Sequence, residues 1–222
     1  MSETIKEHDF VEIDYTGKLT DGTVFDTTSE HVAKDNHFHN PKMIFERAVI
    51  CVGEKQVLPG LDEALVEKEL GKEYIVTIPA EKAFGKRDVK KMRIVPIAEF
   101  KKHNLQPQPG LQINMDGEVG IIMRISGGRV IVNFNHPLAG KEVNYSFKMH
   151  RKVTDHQEKI VSFLRMVLRI KKEAFKVKVE NDNATVEMPG GFPQQFLDML
   201  GEKLTVITGL NSIELKSTSP SQ

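Results

Sequence analysis

The chain has 222 residues and carries 31 Lys and Arg against 31 Asp and Glu, so its overall charge does not favour nucleic acid or membranes as partners. Its length suits one large domain or roughly two to three small ones, and a hydrophobic fraction of 39% can form packed cores. The single cysteine, Cys51, excludes an intrachain disulfide. No apolar run approaches the roughly 18 residues of a membrane span, and the N-terminal residues lack the apolar core of a signal peptide. We therefore expect a soluble, cytoplasmic protein.

Residues 11–27 predict a β-hairpin. Apolar residues recur at even spacing, which is typical of a strand with one buried face: Val11, Ile13, Tyr15 and Leu19. Asp21-Gly22 supplies the turn, because glycine accepts the positive φ of tight hairpins. The next strand begins with Phe25-Asp26. A carboxylate beside a large aromatic ring is costly to bury without a partner, so we expect Asp26 to have one.

The following residues up to 79 alternate between loop, strand and helix. Residues 28–47 are polar and predict a long surface loop, whereas 48–52 read as a strand that stops at Gly53. Leu61, Ala64 and Leu65 share one face of a short helix that enters at Pro59-Gly60. Alternation at 73–79 predicts another strand.

Residues 86–139 predict a compact α+β unit. A helical stretch, AEFKKHNL, precedes three strand candidates, LQINM, EVGIIMRI and RVIVNFN, whose turns contain Asp116-Gly117 and Gly127-Gly128. Nine basic and four acidic residues give the unit a net charge of +5. Exposed aromatic residues do not interleave with these charges, so we interpret them as a solvated surface and expect no nucleic-acid partner.

The remaining chain predicts one more strand and a third module. Residues 140–153 alternate, and from Thr154 an apolar stripe predicts a helix. Two strands (AFKVKVEN, ATVEMP), a short helix (PQQFLDML) and two further strands (KLTVIT, SIELKS) are expected to complete it. The module has no functional motif. Dimerisation of the protein, an extended binding surface and docking of a partner all remain open for it.

The sequence lacks the motifs of covalent catalysis. It has no phosphate-binding glycine loop, no paired-cysteine motif and no nucleophile elbow. Cys51 lies in an apolar strand and is expected to pack in the core. His31, His37 and His39 cluster in the polar loop, but no further ligand pair completes a tetrahedral site. We therefore predict a solvated histidine-rich loop, with no metal and no cofactor.

Four motifs together resemble the FKBP-type peptidyl-prolyl cis-trans isomerases: VEIDYTGKLTDGTVFDTT, VGEKQVLPGLDEALV, VTIPAEKAFG and NHPLAGKEVNYSF. They occur in the family's order and cover most of residues 8–150. A module placed directly after AFG resembles the insert-in-flap domain of SlyD-like members, and the loop at 28–47 with the third module resembles the long archaeal form.

This resemblance implies an α+β fold in which a half-barrel antiparallel sheet wraps one short helix, with an inserted small α+β domain and a C-terminal α+β domain. The implied boundaries are 1–85 with 140–153 for the isomerase domain, 86–139 for the insert and 154–222 for the C-terminal domain.

The resemblance also implies a proline pocket between the sheet and the helix. The residues implied to be catalytic are Tyr15, Asp26, Phe84 and Tyr145. Those implied to bind the substrate are Phe25, Val57, Leu58, Leu61 and, at the rim, Leu138. Phe84 stands where the family has the tyrosine of its A-Y-G motif, and Leu61 stands where small members have Trp. We hypothesise that Tyr15 donates a hydrogen bond to Asp26. Alternatively, Asp26 only fixes the end of its strand.

The implied activity is acceleration of X-Pro bond rotation in folding proteins. The insert is expected to add chaperone activity through an apolar surface that includes Met115, Ile122 and Met123. The alternative is a holdase that keeps the fold as a non-catalytic peptide-binding module. Expected partners are proline-containing peptides and unfolded chains, and a homodimer through the C-terminal domain is one of its open roles.

Overall fold

The computed structural model describes residues 4–40 and 45–218, which form two compact units. Residues up to Ile78 and from Val143 onward make the first unit, and residues Pro79–Glu142 make the second. The strands are β1 (Phe10–Leu19), β2 (Val24–Thr27), β3 (Ala48–Cys51), β4 (Glu73–Ile78), β5 (Met92–Pro96), β6 (Gln112–Met115), β7 (Glu118–Ser126), β8 (Arg129–Asn133), β9 (Val143–Lys152), β10 (Lys176–Glu180), β11 (Asn183–Pro189) and β12 (Ser212–Thr218). The helices are α1 (Glu30–Asp35), α2 (Pro59–Leu65), α3 (Ile97–Lys102), α4 (His156–Leu168) and α5 (Gln194–Thr208).

An antiparallel half-barrel sheet forms the first part of the first unit. Its order is β2-β1-β9-β4, and β3 adds to the free edge of β1 beside β2. The long strands β1 and β9 pair along most of their length, from Val11↔Lys152 to Leu19↔Val143. The alternation of β1 in the sequence matches its burial, since Val11 and Ile13 are fully buried. The expected α+β fold with a half-barrel sheet and a short helix is confirmed.

The predicted loop at 28–47 contains a short helix, α1. Ser29 caps this helix, because its hydroxyl accepts a hydrogen bond from the backbone N–H of Val32 at 3.4 Å. Periodicity could not reveal α1, because only Ala33 among its residues is buried. No helix among the described residues is long and apolar enough to cross a membrane.

The C-terminal module packs on the half-barrel within the same unit. Its sheet has the order β10-β11-β12, and α4 and α5 contribute to its core. Phe10 and Cys51, which belong to the half-barrel, are buried in that same core. The predicted role of Cys51 in packing agrees with this position. Burial raises the pKa of its thiol to about 12, so the thiol stays protonated and unreactive near neutral pH.

One predicted strand of this module is wrong, because KLTVIT forms the second half of α5. Its β-branched residues favour a strand locally. The helix prevails because Leu197, Leu200, Leu204 and Ile207 recur at helical spacing and are all buried. Gly201 lets the helix approach β12 closely, since a Cβ at that position would lie 2.6 Å from the carbonyl oxygen of Ile213.

The second unit is a four-stranded antiparallel sheet of order β5-β8-β7-β6 with α3 packed on it. The three strands expected from the sequence are present, and β5 is additional because its charged surroundings hide the pattern. Ile122 is fully buried in the core of this unit. This corrects its assignment to an exposed surface: Ile122 stabilises the insert by packing. Met115 is partly buried against the same core, whereas Met123 is 45% exposed.

Candidate active site

A β-bulge in β2 directs two neighbouring side chains to the same place. The register between β1 and β2 runs Thr16↔Thr27, Gly17↔Asp26 and Lys18↔Val24, so β2 has one extra residue, Phe25, between two positions that pair with neighbouring residues of β1. In a regular strand, adjacent side chains point to opposite faces. The bulge breaks this alternation. Phe25 and Asp26 therefore both contact Tyr145.

Three aromatic rings form the centre of the site. The Phe25 and Tyr145 rings meet edge to face, with centroids 5.8 Å apart and planes at 79°. The Tyr15 and Tyr145 rings are also 5.8 Å apart, tilted by 54°. Both arrangements are favourable for aromatic pairs. Tyr145 is 1% exposed and is the centre of this aromatic cluster, which we define as Tyr15, Phe25 and Tyr145.

The hydroxyl of Tyr145 donates a hydrogen bond to the carboxylate of Asp26 at 2.9 Å. The sequence-based hypothesis gave this role to Tyr15, and the structure corrects it. The reason is the cross-strand register: Gly17 of β1 pairs with Asp26 on one side and with Tyr145 on the other. Since Gly17 has no side chain, the Tyr145 ring can reach across β1 to Asp26.

Gly17 is a site residue that the sequence reasoning missed. A Cβ at this position would lie 2.7 Å from Cζ of Tyr145 and 2.9 Å from Cζ of Phe25. Its φ is not positive, so the position requires glycine for space rather than for backbone conformation. A glycine inside a strand pattern often marks such a close approach, and this signal is visible in the sequence.

Burial and hydrogen bonding act in opposite directions on Asp26. Burial raises the pKa of Asp26, while the hydrogen bonds from Tyr145 and from the backbone N–H of Thr27 lower it. Burial and the charge of Asp26 together raise the pKa values of Tyr15 and Tyr145 well above that of free tyrosine. Both hydroxyls therefore stay protonated near neutral pH, and Tyr145 remains a donor.

Two threonines hold the end of β2 against β1. The backbone N–H of Tyr15 donates to Oγ1 of Thr28 at 3.0 Å, and the backbone N–H of Thr28 donates to the Tyr15 carbonyl at 3.0 Å. The hydroxyls of Thr16 and Thr27 lie 2.8 Å apart. These bonds fix the strand end without using the Asp26 carboxylate.

The residues predicted around α2 lie at its first turn. Leu61 is buried, and Val57 and Leu58 are partly buried just before the helix. Asp62 is 3% exposed and accepts hydrogen bonds from the backbone N–H groups of Gly53 at 3.0 Å and Lys55 at 2.8 Å. It thereby fixes the turn that leads to the helix, a role that the sequence reasoning missed. The part of Val57, Leu58 and Leu61 in substrate binding stays a prediction.

Phe84 and Leu138 belong to the second unit, and both contact His136. The rings of Phe84 and His136 stack in parallel, with centroids 4.6 Å apart and planes at 2°. The backbone N–H of Leu138 donates to Nδ1 of His136 at 3.2 Å. His136 therefore positions both predicted residues, and nothing in the local pattern pointed to it. The catalytic role of Phe84 and the rim position of Leu138 stay predictions.

Two of the three histidines in the predicted polar loop, His31 and His39, lie close to carboxylates. His31 lies 3.0 Å from Asp35, and His39 lies 3.3 Å from Glu30. Within residues 4–40 and 45–218, no group of three or more His, Cys, Asp or Glu side chains is arranged to hold a metal ion.

A half-barrel sheet with an apolar aromatic site, interrupted by an inserted α+β unit, defines the class of peptide-bond isomerases with an insert-in-flap domain. Residues 1–101 match the family model described as FKBP-type peptidyl-prolyl cis-trans isomerase. Residues 93–138 match the model described as FKBP26, IF domain.

Curated relatives give the same result. The short-type peptidyl-prolyl cis-trans isomerase of Methanocaldococcus jannaschii is 36% identical over 149 residues, which are 67% of this chain and 94% of that protein. The FKBP-type 16 kDa isomerase of Escherichia coli K12 is 28% identical over 154 residues, with the same two coverages of 67% and 94%. SlyD of Treponema pallidum is 30% identical over 109 residues, covering 46% of this chain and 61% of that protein. The chain belongs to the FKBP-type peptidyl-prolyl cis-trans isomerases, enzymes that rotate the peptide bond preceding proline.

Proposed function

We propose that the aromatic cluster and Asp26 form the site at which this enzyme rotates X-Pro bonds in folding polypeptides, and that the inserted unit recruits unfolded chains to it. We also propose that it acts in the cytoplasm. The observation that carries the proposal for the site is the bulge at Phe25, since it turns an aromatic ring and a carboxylate toward one buried tyrosine. Bulges commonly re-aim side chains beside active sites.

The chemistry of this rotation requires no nucleophile. The peptide C–N bond resists rotation by about 18–20 kcal/mol because of its resonance. The planar amide is more polar than the twisted one, so an apolar pocket disfavours the ground state relative to the transition state. A site made of Tyr15, Phe25 and Tyr145 supplies such surroundings. Each ~1.4 kcal/mol of this difference is worth a factor of about ten in rate.

Asp26 can add an electrostatic effect to this apolar one. In the planar amide, resonance places more negative charge on the carbonyl oxygen than in the twisted amide. An ionised carboxylate close to that oxygen therefore destabilises the planar form more than the twisted form, which lowers the barrier. The threonine hydrogen bonds favour this role over a purely structural one, because they already fix the strand end.

The Asp26→Leu variant tests this role. We expect kcat/KM for a proline tetrapeptide to fall by about tenfold or more, while the variant stays folded because leucine removes a buried charge. Turnover equal to that of the wild type, together with an altered urea midpoint, would assign Asp26 to structure alone. Phe25→Leu is the companion variant: it tests the ring without changing the charge.

The proposed recruiting surface lies on the inserted unit. Ile94, Val119 and Met123 are 63%, 53% and 45% exposed, although each lies on a strand of a small sheet. Large apolar side chains in exposed positions mark surfaces that bind other proteins, and methionine adapts to varied partners. Met123 is kept from the predicted surface, and Ile94 and Val119 replace Ile122 in the proposal, because Ile122 belongs to the core.

Two measurements separate recruitment from catalysis. In the triple variant Ile94→Ser, Val119→Ser and Met123→Ser, we expect slower catalysis of proline-limited refolding of a protein substrate and weaker suppression of aggregation. Turnover of the tetrapeptide is expected to survive. The matched control is Val206→Ser, which removes an apolar side chain of 74% exposure from α5. Equal losses on the peptide and the protein substrate would contradict this division of labour, and wild-type aggregation behaviour would end the proposed recruiting role.

The insert can also be removed between Asp88 and Asn135, where its first and last segments meet. Asp88 and Asn135 form a reciprocal pair: the Asp88 N–H donates to Oδ1 of Asn135 at 2.8 Å, and Nδ2 of Asn135 donates to the Asp88 carbonyl at 2.9 Å. The shortened variant lacks residues 89–134 and joins Asp88 directly to Asn135, two residues that lie within hydrogen-bond distance of each other. We expect the shortened enzyme to retain tetrapeptide turnover and to lose its advantage on refolding proteins. A protein without tetrapeptide turnover but with intact aggregation suppression would instead support the holdase alternative.

A further inference from the structure

A groove runs between the half-barrel and the C-terminal module, within the first unit. It has a volume of about 540 Å³, and α4 forms one of its walls. Cavities that bind ligands in proteins have volumes of about 300–1,000 Å³, so this groove is large enough for a segment of polypeptide. The half-barrel wall carries Ala48 and Val49, and the α4 wall carries Val161 and Met166.

The groove is continuous with the proposed proline site. Tyr15 and Asp26 line the groove and are also in contact with Tyr145 in the aromatic cluster. A polypeptide whose proline occupies the aromatic cluster must continue on both sides of that proline. The shared wall of Tyr15 and Asp26 leads one of these two flanking segments into the groove.

The cationic side chains that line the groove differ in whether they form ion pairs. Arg47 pairs with Glu12 at 3.0 Å and with Asp14 at 3.2 Å. Arg165 pairs with Glu46. In contrast, Arg169 and Lys172 form no ion pair with any residue in the described part of the chain, although both line the groove. Arg169 ends α4 in the left-handed conformation, and Lys172 follows three residues later. The groove therefore combines apolar walls with two cations, Arg169 and Lys172, that have no ion-pair partner within residues 4–40 and 45–218.

We propose that this groove binds the segment of the substrate chain flanking the proline, and that Arg169 and Lys172 select segments with an acidic side chain. The proposal rests on the proposed function of the aromatic cluster, since it extends that site. The apolar walls contact the side chains nearer the proline, and the two cations attract an Asp or Glu farther along the chain. The C-terminal module thus contributes to substrate selection in this enzyme.

The experiment compares five substrates that share one X-Pro bond. The first is a tetrapeptide, which is too short to reach along the groove. The other four are peptides of about ten residues. Two of them carry a pair of Asp residues near one end, either before or after the proline. The remaining two carry a pair of Lys residues at the same positions. For the wild type we expect kcat/KM to be about three- to tenfold higher with Asp than with Lys on one side of the proline, as two exposed ion pairs allow. The preference is expected to shrink as salt is added.

The charge-reversal variant Arg169→Glu with Lys172→Glu is expected to invert this preference, with rates normalised to its own tetrapeptide turnover. The matched control is Lys176→Glu with Lys178→Glu, which changes the net charge equally on the exposed face of β10. The control is expected to keep the wild-type preference. Ser162→Tyr, which adds bulk to the groove from α4, is expected to raise KM for the long peptides of both charges.

The outcomes separate this proposal from the one on which it rests. Wild-type enzyme that turns over the tetrapeptide but shows no preference between Asp and Lys peptides on either side would overturn the groove proposal alone. The same holds if the control variant changes the preference as much as the groove variant does. If Asp26→Leu instead turned over the tetrapeptide with the same kcat/KM as the wild type, the proposed catalytic site would be contradicted.

Discussion

Replacing Gly17 by alanine is the sharpest test of the arrangement around Tyr145. The added Cβ would lie 2.7 Å from Cζ and 3.0 Å from Oη of Tyr145, and 2.9 Å from Cζ of Phe25. Carbon atoms in contact prefer separations of about 3.5–4.0 Å, so both rings must move by about 1 Å. Overpacking of this kind costs about 1–3 kcal/mol. The lower entropy of the unfolded alanine chain offsets about 0.4–1 kcal/mol of that cost. We therefore expect a net destabilisation of about 1 kcal/mol, within a range of about 0–2.6 kcal/mol.

The same movement should reduce activity. A shift of about 1 Å in Tyr145 removes its 2.9 Å hydrogen bond to Asp26. Hydrogen bonds to charged groups contribute about 1.5–3 kcal/mol. If this bond holds Asp26 in its catalytic position, kcat/KM for a tetrapeptide falls about 10- to 100-fold. Protease-coupled turnover and urea unfolding of the same preparation measure the two effects.

Gly191→Ala is the control for this variant. Gly191 is exposed, and a Cβ at that position would meet nothing within 4 Å. Its φ is not positive, so alanine fits its backbone. We expect wild-type turnover and an equal or slightly higher urea midpoint. If Gly17→Ala behaves like Gly191→Ala in both assays, the reasoning that places Tyr145 and Asp26 at the catalytic centre is refuted.

Three further variants test the electrostatics and the packing. Tyr145→Phe removes the hydrogen bond that lowers the pKa of Asp26. The acidic limb in the pH profile of kcat/KM should therefore move to higher pH. A limb at the wild-type pH would mean that ionised Asp26 is not the active form. Asp26→Asn should raise the urea midpoint near neutral pH. Burial raises the folded-state pKa of Asp26, so the wild type loses stability as pH rises through that pKa, and the advantage of Asn should vanish on acidification. A constant difference across pH would contradict this. Gly201→Ala should destabilise the C-terminal module by about 1–3 kcal/mol, because its Cβ meets backbone that cannot rotate away. Circular dichroism melts compared with those of Gly191→Ala measure this effect.

The sequence by itself determined which local elements form in most of the chain. Alternation predicted β1, β4 and β9, and the spacing of Leu61 and Leu65 predicted α2. These elements follow from local periodicity, because each buries one face and the pattern repeats every two residues or every three to four. The order of four motifs then identified the family and the half-barrel. The same local information failed for KLTVIT, where helical burial of Leu204 and Ile207 overrides the preference of β-branched residues for strands.

Only the tertiary structure decided which groups meet at the site. Tyr145 and Asp26 are 119 residues apart in the chain, and their hydrogen bond depends on a register that passes through Gly17. Local sequence does not encode which strand pairs with which, nor that a bulge at Phe25 changes the side to which a residue points. The burial of Ile122 and the groove beside α4 likewise arise from packing between distant segments. The elements are therefore local properties of the sequence, whereas the site is a property of their pairing.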